Sequence, residues 1–240
     1  MNEDLSGWAD GDTQTYLKYA DSFVPRRQEQ IDLLVEVARA ESPGKVLELG
    51  CGDGRVAASL LAAIPDVAGV TLVDASAAMI EAARARLPER YGGLTFVHSS
   101  IEDVEIRPGS YDLVYSFLAI HHLDHSEKRK LYARVCASLL DGGFLFLEDL
   151  IEPVGERART LAAWSWDRCV ARASAADPQQ WGAHRAFVED DWNYFSLTEP
   201  DPIDKPASVA SNLTWLHDAG FSSAEVIWLH SGHAVFLCAR

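Results

Sequence analysis

The chain has 240 residues, of which 48% are hydrophobic and 24% are charged, as in an ordinary globular domain. Its net charge of -15 argues against a nucleic-acid partner, because phosphate contacts require clustered lysine and arginine. The polar first residues, and the lack of an apolar run near ~20 residues, predict no signal peptide, no membrane span and a cytoplasmic location. Four scattered cysteines predict reduced thiols, and no metal site is predicted.

Helices and strands alternate along most of the chain, according to the spacing of its apolar residues. A helix is predicted to begin at Pro25 and to be broken at 42–44. The strands predicted next are 46–49, 67–74, 94–98, 111–117 and 144–150, with helices at 56–63, 76–87 and 124–140. A helix at 213–221 and a hairpin of strands 225–229 and 234–238 close the chain. This alternation predicts an α/β fold with a doubly wound, mostly parallel sheet.

A turn rich in glycine joins the first predicted strand to its helix. Gly50, Gly52 and Gly54 allow the backbone to turn tightly and to approach a ligand closely. Their G-x-G-x-G spacing differs from the dinucleotide fingerprint G-x-G-x-x-G. Glu48 would repel a pyrophosphate, whereas its carboxylate suits a ligand that carries an amine or a sulfonium group. The turn therefore predicts a site for a cationic nucleoside at the carboxyl end of the strands.

The second predicted strand ends in Asp74, about twenty residues beyond the glycine turn. In a doubly wound sheet, an acid at this place accepts hydrogen bonds from both ribose hydroxyls of a nucleoside. The alternative is that Asp74 caps the helix that opens at Ser76. Ala75 is expected along the ribose edge, while Met79 either lies against the adenine or belongs to the core.

Glu48 and the three glycines match the motif [DE]-x-G-x-G-x-G position by position. Over residues 25–240 the chain resembles the class I S-adenosylmethionine (SAM)-dependent methyltransferases that act on small molecules. The resemblance implies SAM as cofactor, S-adenosylhomocysteine as product and a Rossmann-like seven-stranded sheet with an antiparallel C-terminal hairpin. In that family an acid commonly follows the third strand and contacts the adenine, but Ser100 stands there in this chain. The expected cofactor-binding residues are Tyr19, Glu48, Gly50, Cys51, Gly52, Asp74, Ala75, Met79, Ser100, Ile101 and Ser116.

Two further segments are candidates for the acceptor side of the site. The sequence Ala119-Ile120-His121-His122-Leu123 is similar to the A-x-H-H-L segment of many small-molecule methyltransferases. His121 or His122 either acts as a general base on the acceptor, or the pair braces its loop through hydrogen bonds. The tryptophan-rich segment 151–205 interrupts the alternation, and in the fold that the chain resembles such an insertion covers the active-site mouth. Its aromatic residues predict an apolar acceptor pocket, or else packing against the domain or a second subunit, and His184 is its candidate base.

The predicted organisation is one methyltransferase domain, 1–240. It is divided into a helical N-terminal lid or flank (1–42), a SAM-binding core (43–150), a cap insertion (151–205) and a C-terminal helix and hairpin (206–240). The predicted function is transfer of a methyl group from SAM to N, O, S or C of a small-molecule acceptor, by a monomer or a homodimer. The alternatives are a SAM-binding subunit without catalysis and a SAM-modifying enzyme of the carboxy-SAM synthase type. A third, an NAD-binding oxidoreductase, is disfavoured by the glycine spacing and Glu48.

Overall fold

A computed structural model describes residues 10–87, 91–199 and 201–240. Residues 1–9, part of the predicted N-terminal flank, lie outside the described residues. Within the described ranges the chain forms seven strands: β1 Lys45–Leu49, β2 Gly69–Asp74, β3 Leu94–His98, β4 Tyr111–Phe117, β5 Leu139–Leu150, β6 Ser223–His230 and β7 His233–Ala239. The helices of the same ranges are α1 Asp10–Phe23, α2 Arg27–Glu41, α3 Arg55–Ala63, α4 Ala77–Arg86, α5 His125–Ser138, α6 Glu156–Ala176, α7 Ala183–Glu189 and α8 Val209–Asp218.

The strands form a single sheet in the order β3-β2-β1-β4-β5-β7-β6. Strands β1 to β5 run parallel, whereas β7 pairs antiparallel with both β5 and β6. The strand order reverses beside β1, and at such a switch point ligands bind outside the carboxyl ends of the strands. The predicted fold class, a doubly wound and mostly parallel sheet with a C-terminal antiparallel hairpin, is confirmed.

The apolar core lies on both faces of the sheet, as a parallel sheet covered by helices requires. Leu47 and Leu49 of β1 belong to the cluster on one face, and Val46 belongs to the cluster on the other. The short apolar run that predicted β1 is therefore buried on both sides. No described helix combines the length and the apolar character that crossing a bilayer requires.

Several predicted boundaries differ from the structure, and three of the differences have a local reason. Helix α2 begins at Arg27 rather than at Pro25, because Arg26 has a left-handed backbone with φ of 52°. Helix α5 ends at Ser138, since Leu139 already pairs with Tyr111 in the sheet. Helix α8 begins at Val209, four residues before its predicted start, where the Ser208 side chain caps it.

The segment between β5 and α8 folds into α6, α7 and short turns that pack together with α1. The rings of Phe23 in α1 and Phe187 in α7 contact edge to face, with centroids 5.4 Å apart. Trp166 Nε1 of α6 donates a hydrogen bond of 2.7 Å to the Phe23 carbonyl oxygen. We call α1, α6 and α7 the cap. The segment boundaries proposed from the sequence stay predictions.

Candidate functional site

A cavity of about 460 Å³ lies between the carboxyl ends of the central strands and the cap. One end of the cavity is formed by the glycine turn after β1 and by the end of β2. The other end is formed by the paired histidines, the cap and the start of β7. Of the predicted site residues, the cavity is lined by Glu48, Gly50, Cys51, Gly52, Asp74, Ala75, Met79, Ser100, Ile101, His121 and His122.

The glycine turn brings backbone to the cavity where side chains would intrude. Gly50 and Gly52 have φ of 75° and 53°, in the left-handed region that favours glycine. A Cβ on Gly50 would lie 2.3 Å from the Ala119 Cβ, so this residue is fixed by packing. A Cβ on Gly52 would meet nothing within 4 Å. Gly52 therefore leaves a space that a ligand can fill.

Asp74 holds the turn and still faces the cavity. Its Oδ2 accepts a hydrogen bond of 2.8 Å from the Gly52 amide, and its Oδ1 accepts one of 2.9 Å from the Ser76 amide. The N-cap of α4 is Ser76, whose hydroxyl accepts from the Met79 amide. The alternative interpretation of Asp74 as the helix cap is therefore wrong. A carboxylate can accept more than two hydrogen bonds, so these two do not by themselves exclude contact with a ligand hydroxyl.

Glu48 is a buried carboxyl group at the edge of the cavity, with 1% of the residue exposed. Burial raises the pKa of Glu48 well above its ordinary value, and the nearby Asp74 and Asp53 add to the shift. Its Oε2 has no hydrogen-bond partner among the described residues. An unpaired buried oxygen of this kind is stabilised by a cation that reaches it.

Behind the turn, Asp53 anchors the start of α3. Its Oδ2 lies 2.8 Å from Arg55 Nη2 and 2.7 Å from Arg86 Nη2, and Arg55 also pairs with Asp21 of α1. Although burial alone would raise it, the hydrogen bonds and charge of Arg55 hold the pKa of Asp53 below its ordinary value. This ion-pair cluster connects α1 to the glycine turn.

Two predicted cofactor residues do not line the cavity. Ser116 is fully buried, and its hydroxyl donates to the Leu49 carbonyl oxygen at 2.7 Å, tying β4 to β1. Tyr19 packs on Phe23, with ring centroids 5.9 Å apart, while Tyr16, three residues earlier on α1, lines the cavity instead. Residues three apart lie on one side of a helix but reach different neighbours.

Ser100, which replaces the usual acid after β3, lies at the cavity but is already engaged. Its hydroxyl donates a hydrogen bond of 3.0 Å to Asp103 Oδ2. Ile101 and Met79 are nearly buried beside it and supply apolar surface. This part of the cavity suits a flat apolar group with a polar edge.

Arg27 was not predicted from the sequence, yet it lines the cavity beside Glu48. Its Nη1 lies 3.5 Å from the Tyr16 hydroxyl, and no ion pair of Arg27 occurs within the described ranges. A guanidinium without a carboxylate partner in a cavity is suited to a ligand carboxylate. Nothing in the sequence around Arg27 marks it, because its place at the cavity depends on how α2 packs.

His121 and His122 lie at the other end of the cavity within a network of carboxylates. His121 Nδ1 is 2.5 Å from Asp149 Oδ1, and its Nε2 is 3.5 Å from Asp204 Oδ1. His122 Nδ1 is 3.0 Å from the same Asp204 oxygen. Although burial opposes it, the charges of Asp149 and Asp204 raise the pKa of His121. Burial and the neighbouring His121 lower the pKa of His122.

The same cluster offers a donor set that could receive a metal ion. Ligand atoms of His121, His122 and Asp204 all lie within 4.8 Å of one another, and two imidazoles with a carboxylate suit divalent transition metals. The contacts with Asp149 and Asp204 hold both imidazoles in place without an ion.

Lys128 of α5 fixes the loop that carries the histidines. Its Nζ donates to the carbonyl oxygens of His121, Leu123 and Lys205. The Lys205 amide in turn donates to the His121 carbonyl oxygen at 2.8 Å. Burial lowers the pKa of Lys128 to about 8. The end of the insertion is thereby joined to the paired-histidine loop.

His184, the predicted base of the insertion, does not reach the cavity. Its Nε2 pairs with Asp167 Oδ1 at 2.9 Å, and 39% of its side chain is exposed. Asp167 belongs to α6, so the His184 side chain of α7 is directed toward α6 and not toward the cavity. His184 is therefore not a candidate for contact with an acceptor.

The cap contributes part of the aromatic wall that the sequence predicted. Trp166 and Trp192 line the cavity together with Phe23 and Phe187. The other two tryptophans of the insertion, Trp164 and Trp181, are 58% and 86% exposed and face away. The acceptor end is therefore mostly apolar but uses only some of the predicted aromatic residues.

His233 at the start of β7 also lines the cavity and was interpreted from the sequence only as part of a hairpin turn. It is fully buried, and its Nδ1 lies 2.9 Å from the Ser231 carbonyl oxygen. Burial lowers the pKa of His233 to about 4. No local pattern distinguishes this histidine from the others in the sequence.

Comparisons with known proteins identify the relatives of this chain. Residues 46–143 match the family model of a methyltransferase domain. Over 157 residues the chain is 34% identical to a trans-aconitate 2-methyltransferase from Methylobacterium nodulans, covering 64% of this chain and 56% of that protein. The chain thus spans little more than half the length of this curated relative.

Solved structures share the fold at low sequence identity. An O-methyltransferase family protein from Burkholderia thailandensis superposes with a TM-score of 0.64 at 16% identity, covering 89% of this chain and 55% of that one. A SAM-dependent methyltransferase from Mesorhizobium loti gives a TM-score of 0.57 at 16% identity, covering 88% of this chain and 100% of that one.

Proposed function

We propose that the chain, whose residues 46–143 match the family model of a methyltransferase domain, is a class I SAM-dependent methyltransferase that transfers a methyl group from SAM to a small-molecule acceptor. The observation that carries the proposal is the single cavity that joins the glycine turn to the aromatic cap. A cofactor at one end and an acceptor at the other would meet near its middle.

The residues at the glycine turn fit SAM by their chemistry. The unpaired Oε2 of Glu48 suits the amine of SAM, and the open space at Gly52 allows SAM to lie close to the protein backbone. Asp74 suits the ribose hydroxyls, while Ile101 and Met79 offer apolar surface to the adenine. Arg27 is the candidate partner of the carboxylate of SAM.

When bound, SAM supplies a methyl group on a sulfonium, which a nucleophilic N, O, S or C can attack. The contribution of the protein is to hold the acceptor in line with that methyl group, which is worth up to about 7–11 kcal/mol in favourable cases. Phe23, Trp166 and Phe187 shield the acceptor end from water.

For the paired histidines, we favour the bracing role over that of a general base. Both ring nitrogens of His121 face carboxylates, Asp149 and Asp204, so neither is open to an acceptor proton. His122 lies against Asp204 in the same network. The pair therefore shapes the acceptor end and holds the Asp204 segment to the loop.

The proposal is tested in two steps with the whole chain. Calorimetric titration should detect binding of SAM and of S-adenosylhomocysteine. Release of S-adenosylhomocysteine is then measured with a panel of small acceptors. trans-Aconitate, which the Methylobacterium nodulans relative is named for, is tried first. Absence of binding to both nucleosides would refute the proposal, and binding without turnover of any acceptor would favour a regulatory subunit.

A further inference from the structure

His233 is the first residue of β7 and follows a tight turn. The turn before it contains Ser231 and Gly232 with φ of 51° and 77°, and it directs His233 back beside Leu150 at the end of β5. The imidazole is fully buried in the sheet and forms part of the cavity wall. It is thus a polar group at the acceptor end, among aromatic side chains.

The hydrogen bond at Nδ1 determines the tautomer of this ring. The Ser231 carbonyl oxygen 2.9 Å away can only accept, so Nδ1 must carry the proton. In a neutral imidazole the other nitrogen, Nε2, is then an unprotonated acceptor. Trp166 packs against the ring at 84°, with centroids 4.7 Å apart, and holds its orientation.

Nε2 is buried and has no hydrogen-bond partner within the described ranges. The neighbouring indole cannot supply one, since Trp166 Nε1 donates to the Phe23 carbonyl oxygen. Buried polar atoms are almost always paired, and leaving one unpaired costs free energy. A ligand group in the cavity is the natural partner for this nitrogen.

We propose that His233 Nε2 accepts a hydrogen bond from an O–H or N–H group of the methyl acceptor, and so selects acceptors that carry such a donor against apolar ones. The assignment of the ligand as acceptor rests on the proposed methyl transfer, whereas the demand of Nε2 for a donor does not. His233 is a specificity-determining residue, distinct from the paired histidines, in which both ring nitrogens of His121 and Nδ1 of His122 already face carboxylates.

The test uses phenol and toluene, a matched pair of probes that differ by one hydroxyl donor. The full chain is titrated with each probe, alone and saturated with S-adenosylhomocysteine. In the His233→Phe variant the preference for phenol over toluene should fall at least about fivefold. His233→Phe keeps a ring against Trp166, and its melting temperature should not fall below that of the native chain. His184→Phe, outside the cavity, should leave the preference unchanged.

Long-range ¹H–¹⁵N spectra of histidine-labelled protein provide the second measurement. The Nε2 of His233 should resonate as an unprotonated nitrogen and shift with phenol but not with toluene. A protonated Nε2, or the same phenol preference in His233→Phe and the native chain, would overturn the inference. Loss of S-adenosylhomocysteine binding with the probe results intact would instead refute the proposed function alone.

Discussion

Replacing Glu48 by glutamine should move stability and cofactor affinity in opposite directions. Burial raises the pKa of Glu48 in the free protein, so the folded state keeps this proton to a higher pH than the unfolded chain does. This difference destabilises the fold as the pH rises above the unfolded pKa of about 4.3. Glutamine has no such pH dependence, so we expect the variant to melt at a higher temperature than the native chain at neutral pH.

The magnitudes follow from linkage and from the contact that is lost. Between the unfolded pKa and the raised folded pKa of Glu48, the free energy of unfolding of the native chain falls by up to about 1.4 kcal/mol per pH unit relative to that of the variant. A charge-assisted hydrogen bond to the SAM amine is worth about 1.5–3 kcal/mol. Deprotonating Glu48 offsets part of that gain. We therefore expect SAM to bind about tenfold more weakly to Glu48→Gln.

The assay combines thermal melting from pH 5 to 8 with calorimetry in buffers of different ionisation enthalpy. Because the arriving amine restores ionisation, the native chain should release a proton on binding SAM, and Glu48→Gln should release none. Glu148→Gln is the matched control: Glu148 is also fully buried with a raised pKa, but it does not line the cavity. It should show the same pH-dependent stabilisation with native affinity. Equal affinities of Glu48→Gln and the native chain would refute the reasoning.

Other predictions concern the turn, the ion pairs and the metal question. Gly52→Ala should keep the fold, with a backbone strain of about 1 kcal/mol, but should weaken SAM binding as measured by calorimetry. Gly50→Ala should instead lower the melting temperature strongly, because its Cβ would collide with Ala119. Asp74→Ala should lose about 1.5–3 kcal/mol of SAM affinity, and native affinity in that variant would exclude the ribose role. Asp53→Asn should melt lower at neutral pH. Since the folded pKa of Asp53 is depressed, its stabilisation is present above the unfolded pKa and disappears as the pH falls through the folded pKa, so acid melting curves should converge. Dialysis against EDTA should leave melting and SAM affinity unchanged, because carboxylates already hold the paired histidines; a loss of either would reveal a bound ion.

The sequence predicted the features that depend on local patterns. The short apolar runs predicted β1 to β4 within two residues. For β1 and β4, which are mostly buried inside the parallel sheet, such a run has few alternative interpretations. The spacing of Gly50 and Gly52 after a strand predicted the cofactor end of the cavity, because the backbone conformation there restricts the residue type. The resemblance drawn from this motif agrees with the match of residues 46–143 to the family model of a methyltransferase domain.

The acceptor end depends on packing between distant segments, and the sequence did not predict it. Arg27 and His233 carry no local signal, and their positions follow from the packing of α2 and the hairpin register. Tyr19 and His184 looked suitable by type, but Tyr19 packs on Phe23 and His184 pairs with Asp167, and neither lines the cavity. Asp204 lies beside the paired histidines because Lys128 and the Lys205 amide join the two segments.

The packing of α1 with the insertion has a consequence for ligand exchange. Although 143 positions separate Phe23 from Trp166, a hydrogen bond joins them, and Phe23 also touches Phe187. Helix α1 therefore packs with α6 and α7, which come much later in the chain, as one cover over the cavity. To open the cavity on the side of the cap, α1, α6 and α7 would have to move together. Deleting the residues before α2 would therefore expose aromatic surface on the insertion, in addition to opening the cavity.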